Sequence, residues 1–349
     1  MKITELHHPS HETVLQVEDR PSGLRGFIAV HSTQRGPAAG GLRMRAYKTP
    51  QHALTDVLRL SEGMTFKNAA ADLALGGGKA VIIGDPATKT AAQLRAMGEA
   101  IDRLGGQYWT AEDMGMSPAD MGIIRQSTAF VAGLDRVAFG SGDPSPITAR
   151  GIFQSIRITA KHRFGNPSLV GRRVAVQGLG HVGWALGKLL KAAGAELVVA
   201  DIDPSRTAQA GRCLGAEPVP ADAILTVPAD ILAPCAIGGV LNADTIPALR
   251  VAAICGGANN QLATPADGDT LARRGILYAP DYIVNAGGII NVATEVLRIR
   301  ARTAFVEEKL AALDATLDAI LTEAGDSGRA PARLADAWVA ARIAPPHAA

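Results

Sequence analysis

RRVAVQGLGHVGWALGKLLKAAGAELVVADID, residues 172–203, decides the fold. Val174–Gln177 reads as a short apolar strand, and Gly178-Leu179-Gly180-His181-Val182-Gly183 places a G-x-G-x-x-G turn directly behind it. The next segment sets Val182, Ala185, Leu186, Leu189, Leu190 and Ala193 on one helical face until Gly194 ends it. Glu196–Ala200 then reads as a second strand that delivers Asp201, followed by Ile202. In such a unit the first glycine permits the tight turn, the second lets a pyrophosphate approach the backbone, and the third allows helix to pack on strand. The free N–H groups of the helix start attract the phosphates. Asp201 can accept from a ribose 2′-hydroxyl and repels a 2′-phosphate, which favours NAD over NADP; Arg206 nearby is the residue that argues the other way.

Working outward, the chain keeps alternating strand and helix from Val174 to about Gly288, the pattern of a parallel sheet. The first third alternates as well. Residues 24–31 read as a strand, 50–62 as a helix, 80–83 as a short buried strand with Lys79 at its entrance, 90–104 as a helix and 107–110 as a strand. The Gly/Ser/Pro-rich stretch 140–146 is the best linker candidate.

Composition narrows the class. With 349 residues, 47% apolar and 19% charged, the chain can build two cored domains and is not generally disordered. A net charge of +2 gives no reason to expect nucleic acid or an anionic membrane as partner. Cys213, Cys235 and Cys255 form no C-x-x-C, so neither a disulfide framework nor a zinc site is expected. No signal-like or membrane-spanning run is present, so a cytoplasmic protein is expected. His7, His8 and His11 lack a matching ligand partner and read as solvated residues of an N-terminal extension; no metal is expected.

Gly78-Lys79 does not belong to a Walker loop, because Leu73 stands where its first glycine is needed and Ala80 where Ser/Thr is needed. Lys79 and Lys67 read either as two ordinary surface lysines or as paired ammonium groups in a cleft. In a cleft, mutual repulsion and desolvation would lower a lysine pKa towards neutrality. Asp113 follows the end of an expected strand, where it reads either as a ligand group or as a turn aspartate.

Several segments carry a resemblance: GPAAGGLRM (37–45), EGMTFKNAAADLALGGGKAVIIGDP (62–86), TAEDMG (110–115), DPSPITARG (143–151), GGANNQL (256–262) and YAPDYIVNAGGIINV (278–292). Together they resemble the Glu/Leu/Phe/Val dehydrogenase family over nearly the whole chain. The resemblance implies an α/β protein with two domains flanking a cleft. The N-terminal substrate and catalytic domain would comprise residues 1–135 plus about 328–349, and the Rossmann-type NAD-binding domain residues 136–327. It implies Lys67 as the partner of the substrate α-carboxylate, Lys79 as the catalytic lysine, and Asp113 as the group that exchanges a proton with the substrate amine. Asn260 would contact substrate. Thr148, Arg43, Cys235, Ala236, Ala258 and Asn259 would face the cofactor, beside the glycine turn and Asp201-Ile202. The activity implied is reversible oxidative deamination of an L-amino acid with NAD to a 2-oxo acid and ammonium, by a homo-oligomer.

Side-chain selectivity follows by the same route. The positions that bind a glutamate side-chain carboxylate in this family match Ala39 and Val292, beside Gly40 and Ala111. No cation stands there, which disfavours glutamate. Ala111 and Val292 resemble a branched-chain pocket, whereas Ala39 enlarges it as in some phenylalanine enzymes; branched-chain substrates are favoured, with phenylalanine the alternative. A 2-hydroxyacid dehydrogenase or a non-catalytic NAD-binding protein are the remote alternatives, and both leave the two lysines and Asp113 unexplained.

Overall fold

In the computed structural model, which describes residues 1–134 and 139–343, the chain forms two units. One comprises Met1–Pro144, Ile289–Val306 and, among the described residues, Arg342 and Ile343; the other comprises Ser145–Gly288 and Glu307–Ala341. The division after Pro144 falls inside the Gly/Ser/Pro stretch 140–146. The boundary expected at 135/136, and residues 344–349 of the expected C-terminal return, lie outside the described residues.

The first unit runs through β1 (Lys2–Glu5), β2 (Thr13–Asp19), β3 (Leu24–Ser32), β4 (Ala38–Ala39), β5 (Leu42–Arg45), α1 (Pro50–Ala70), β6 (Gly76–Ile83), α2 (Ala91–Asp102), β7 (Tyr108–Trp109) and α3 (Pro118–Ile124). Among the described residues its sheet has the order β1-β2-β3-β6-β4-β7, with β5 also pairing β6. β3 runs antiparallel to β6, whereas β4 and β5 run parallel to it, with Ala39 opposite Gly77 and Leu42 opposite Ala80.

Two differences from the sequence reading place the functional residues. β6 begins at Gly76, so Lys79 sits inside the strand and not at its entrance. Three glycines argue against a strand on propensity, but packing requires them: a Cβ on Gly77 would lie 2.1 Å from Thr65 Oγ1, and one on Gly78 2.6 Å from the Tyr108 ring. Helix α1 continues past residue 62 to Ala70 and carries Lys67 in its last turn. Its polar residues there are taken up by tertiary contacts, with His31 Nδ1 2.8 Å from Thr65 Oγ1 and Asn68 Nδ2 donating to Gly76 O at 2.5 Å. Strand alternation then fixes the faces. Val81 packs with Ala53 and Val57 of α1, while Ala80 and Ile82 pack with Leu94, Met97 and Ile101 on the other face. Lys79 shares the parity of Val81 and so the α1 face.

The N-terminal histidines are corrected in part. β1 pairs antiparallel with β2, and His11 is held against α1, its Nε2 2.9 Å from Ser61 Oγ and its ring 4.9 Å from that of His31. Burial, followed by the His31 charge, pushes His11 down to about 4, so it is neutral at pH 7. His7 is exposed. The signal missed was Lys2–Glu5 as an edge strand, which turns a supposed tail into part of the sheet.

The second unit contains α4 (Ser145–Phe164), β8 (Arg173–Gln177), α5 (His181–Ala192), β9 (Glu196–Ala200), α6 (Pro204–Leu214), β10 (Glu217–Pro218), β11 (Ala229–Pro234), β12 (Val251–Ile254), α7 (Pro265–Arg273), β13 (Leu277–Tyr278) and α8 (Asp281–Val284). Its six described strands have the order β10-β9-β8-β11-β12-β13 and pair in parallel throughout. The chain closes with α9 (Gly287–Val296), α10 (Arg302–Ser327) and α11 (Pro331–Ile343). No described helix is long and apolar enough to cross a membrane.

Within the first unit, one buried carboxylate organises the segment before Pro144. Glu295 Oε2 accepts from Gly133 N at 2.8 Å, Ser141 N at 3.0 Å, Ser141 Oγ at 2.9 Å and Leu134 N at 3.4 Å. Asn291 Nδ2 donates to Ser141 O at 3.0 Å, and Arg302 Nη1 to Gly140 O at 2.9 Å. Removing the shared acceptor strands several buried donors, so Glu295→Ala is expected to cost about 3 kcal/mol, measured by urea denaturation. Glu307→Ala, in the exposed pair with Arg150, is expected to cost less than about 0.5 kcal/mol.

Candidate active site

β6, β5 and the loop after β7 converge on one charged group. Lys79, 5% exposed, sets its Nζ 2.5 Å from Asp113 Oδ2. The loop reaches that position because Leu42 N donates to Ala111 O at 2.8 Å and Met44 N to Met114 O at 2.9 Å. Farther along, Lys89 Nζ lies 2.5 Å from Asp120 Oδ2 and donates to Gly115 O at 2.9 Å, anchoring the loop's exit. Arg43 of β5 alternates with the inward Leu42 and Met44 and therefore shares Lys79's face. Its Nε lies 3.4 Å from Asp113 Oδ2 and its Nη1 3.2 Å from Asp56 Oδ2. Ala39 and Gly40 border the same strands, with Tyr108 OH donating to Gly40 O at 2.8 Å. Val292 lies on α9, in the portion that belongs to the first unit.

Burial lowers the Lys79 pKa; Asp113 opposes it, Arg43 adds to it, and the net shift is downward. For Asp113 burial works upward, but the Lys79 and Arg43 cations outweigh it and hold the carboxyl well below the usual range. The sequence reading offered Lys67 as one possible cation acting on Lys79; in the structure Arg43 is a second cation whose charge lowers the Lys79 pKa. A neutral lysine beside a carboxylate is a base and hydrogen-bond donor held out of bulk water. The two groups are coupled: Asp113 is a poor base while Lys79 is charged, and regains basicity when Lys79 loses its proton.

The second unit brings the loops after β8, β9, β11 and β12 to the carboxyl ends of the strands, where α/β sheets bind ligands. Gly178 N donates to Ala200 O at 2.8 Å, Cys235 N to Gln177 O at 2.7 Å, and Ala258 N to Pro234 O at 2.8 Å. Gly178 has φ +93°, open to glycine, and a Cβ on Gly183 would lie 2.0 Å from Gly178 O. A Cβ on Gly180 would meet nothing closer than Arg206 Nη1 at 3.9 Å, so space remains over that residue. The start of α5, at His181 and Val182, has no side-chain cap. These features fit a dinucleotide pyrophosphate. Asp201 already serves the loop, accepting from Leu179 N at 2.6 Å and Asp203 N at 2.9 Å, while Arg206 Nη1 approaches it at 3.9 Å. Ile202 is 92% exposed, an uncovered apolar surface beside Asp201. Burial pushes the Cys235 thiol up to about 11, which leaves it no nucleophile.

Thr148 lies in the first turn of α4, and a Cβ on Gly287 would come 3.0 Å from its Cα. Asn259 and Asn260 are exposed, and Asn260 adopts φ +51°. Three residues absent from the sequence reading hold this loop. Asn285 Nδ2 donates to Asn259 Oδ1 at 3.0 Å and Gly257 O at 3.2 Å, Gln261 Nε2 donates to Gly256 O at 2.8 Å, and Asp281 Oδ2 accepts from Gln261 N at 2.9 Å. Asp56 and Tyr47 were also missed. The available signal was Arg43 between apolar strand residues, since a buried guanidinium requires carboxylates.

A parallel sheet with a glycine turn, together with a buried lysine–aspartate pair, defines a dinucleotide-dependent oxidoreductase. Residues 10–130 match the Glu/Leu/Phe/Val dehydrogenase dimerisation domain, and residues 205–337 match the Glutamate/Leucine/Phenylalanine/Valine dehydrogenase family. The leucine dehydrogenase of Geobacillus stearothermophilus is 50% identical over 286 residues, 82% of this chain and 78% of that one. The phenylalanine dehydrogenase of Caldalkalibacillus thermarum is 47% identical over 291 residues, covering 82% and 79%. The crystal structure of L-tryptophan dehydrogenase from Nostoc punctiforme superposes with a TM-score of 0.77 at 39% identity, covering 96% of each chain. The chain belongs to the Glu/Leu/Phe/Val dehydrogenase family and is an NAD(P)-dependent amino acid dehydrogenase, an oxidoreductase acting on CH–NH2 groups. That membership leaves the 2-hydroxyacid and non-catalytic readings without support.

Gly183→Ala is expected to weaken NADH binding at least tenfold, measured by NADH fluorescence titration, because the new methyl displaces the Gly178 turn, which fits a dinucleotide pyrophosphate.

Proposed function

We propose that this protein deaminates apolar L-amino acids oxidatively and reversibly with NAD, branched-chain substrates being preferred. The observation that carries the reading is the buried contact of Lys79 with Asp113, both with lowered pKa values. Lys67 takes the substrate α-carboxylate, and Asn260 assists in orienting it. Asp113 accepts a proton from the substrate ammonium, since only the neutral amine releases hydride from its carbon. NAD, when bound, supplies the hydride acceptor; Gly178–Gly183, Asp201, Ile202, Thr148, Arg43, Cys235, Ala236, Ala258 and Asn259 hold it. Neutral Lys79 then takes a proton from the water that attacks the iminium carbon. The resulting ammonium stabilises the oxygen as it becomes a carbonyl; Asp113 returns its proton to the departing amine, and the hydroxyl proton passes to the ammonia, which leaves as ammonium, while Lys79 keeps the proton it took from water.

NAD over NADP rests on Asp201, whose negative charge opposes a 2′-phosphate. Ala39, Ala111 and Val292 are apolar and buried, and none offers a cation to a glutamate side chain. The small Ala39 favours a second reading, phenylalanine as preferred substrate. Methylene-scale differences discriminate by only about 1–3 kcal/mol, so activities overlap. The protein acts as a cytoplasmic homo-oligomer in this reading.

The test is NADH formation from a panel of L-amino acids. Leu, Ile and Val are expected to exceed Phe; a Phe rate far above Leu overturns the branched-chain preference, and no NADH from any apolar amino acid overturns the function. Lys79→Ala is expected to lower kcat by about 10³-fold or more with NADH affinity kept. In the wild type, deamination rises with pH as Lys79 loses its proton, and the burial-lowered pKa places that rise below the ordinary lysine value of 10.5. A limb at or above 10.5 would mean that Lys79 is not the titrating base.

A further inference from the structure

We propose that Asp56, held by Tyr47, is a positioning residue that anchors Arg43 and with it fixes the charge balance around the Lys79–Asp113 pair. The inference rests on the deamination reading above and concerns residues of the first unit alone.

Arg43 is 8% exposed and stands between two carboxylates. Asp113 Oδ2, on one side, is shared with Lys79; Asp56 Oδ2, on the other, lies 3.2 Å from Arg43 Nη1 and accepts from Tyr47 OH at 2.7 Å. Arg43 Nε is buried without a hydrogen-bond partner, so the guanidinium is held towards Asp113 by charge and by its anchor on Asp56. The order Tyr47–Asp56–Arg43–Asp113–Lys79 alternates acid and base. With all four charged side chains ionised, it sums to zero.

Helix α1 makes this possible. Asp56 is one residue before Val57, which packs in the core against Val81 of β6, and so lies beside the face that carries Lys79 and Arg43. Among the described residues, the charged and titratable groups acting on the pair include Arg43 of β5, Asp56 of α1 and Tyr108 of β7. Tyr47 joins through Asp56, with Arg45 5.1 Å above its ring. Without the Asp56 charge, Arg43 keeps Asp113 as its only close counter-ion among the described residues. It then competes with Lys79 for that oxygen, and its uncompensated field disfavours a second ammonium.

The signs follow. Asp56 favours the charged form of Lys79 and Arg43 disfavours it. Removing Asp56's charge must therefore move Lys79 deprotonation to lower pH, and removing Arg43's charge must move it higher. A role confined to packing gives no such opposition.

The experiment is the pH profile of kcat/KM for the amino acid at saturating NAD, in the full-length protein. Asp56→Asn keeps the side-chain shape and an acceptor for Tyr47; its acid limb is expected to shift down on the order of one pH unit. Arg43→Gln is expected to shift it up by a similar amount, and Asp56→Glu to restore the wild-type limb. An unmoved limb, or shifts of the same sign in both variants, overturns the inference while a wild-type enzyme that deaminates amino acids leaves the functional reading standing. If the wild type forms no NADH, the functional reading fails first. Should Asp56→Asn not fold by circular dichroism, Asp56→Ser takes its place: a downward shift supports the coupling and an unmoved limb overturns it.

Discussion

A lysine ammonium buried on a sheet is the constraint to which the first unit answers. Isolated, that charge would neutralise or destabilise the fold; Asp113 at 2.5 Å lets it stay. Bringing Asp113 there demands the rest. The loop after β7 must be tied to β5 by backbone hydrogen bonds, and Lys89 must pin its far end through Asp120 and Gly115. On the other side α1 must come close enough for Thr65 to occupy the space a side chain on Gly77 would need. The glycines and the charges are thus two parts of one solution. Close backbone packing excludes water from Lys79, and exclusion of water lowers its pKa.

The second unit solves a different problem. Its glycine turn offers mostly backbone amides, so what it can bind depends on where the chain can turn. Gly178 and Gly183 pack against each other at the head of α5 while Asp201 ties the turn from below through Leu179 N. An acidic residue just after β9 therefore shapes the glycine turn, besides the ribose role proposed for it. That shaping follows from its hydrogen bonds to Leu179 N and Asp203 N, which hold the carboxylate in place.

This difference governs what could be read in the sequence. The second unit was legible almost to the residue, Glu196–Ala200 among its strands, because strand, turn and helix are consecutive and each signal is local. In the first unit the signals are split between distant segments. Gly76–Gly78 look like a loop until Thr65 and Tyr108 are known to press on them, and the expected helix stops at residue 62 until Asn68 is known to donate to Gly76 O. The same holds for charge. Lys67 and Lys79 are near in sequence and invited a pairing, whereas Arg43 and Asp56 meet Lys79 and Asp113 only after β5 and α1 have folded against β6. Local pattern reveals elements; it does not reveal which buried cation finds which carboxylate.

The alternation of charge also bears on direction of proton flow. In the proposed mechanism an amino acid enters as a zwitterion and leaves the balance of the four-group cluster unchanged, Lys67 being the partner proposed for its carboxylate. A 2-oxo acid is a monoanion, and ammonium carries one positive charge away. The site that has made product therefore holds one more negative charge than before, and a protonated Lys79 offsets it. Returning to a neutral Lys79 requires that proton to reach solvent as the oxo acid leaves. In the reverse direction the oxo acid must bind to the charged lysine. A buried lysine with a lowered but accessible pKa serves both directions, which a guanidinium at the same position, too basic to lose its proton, could not do.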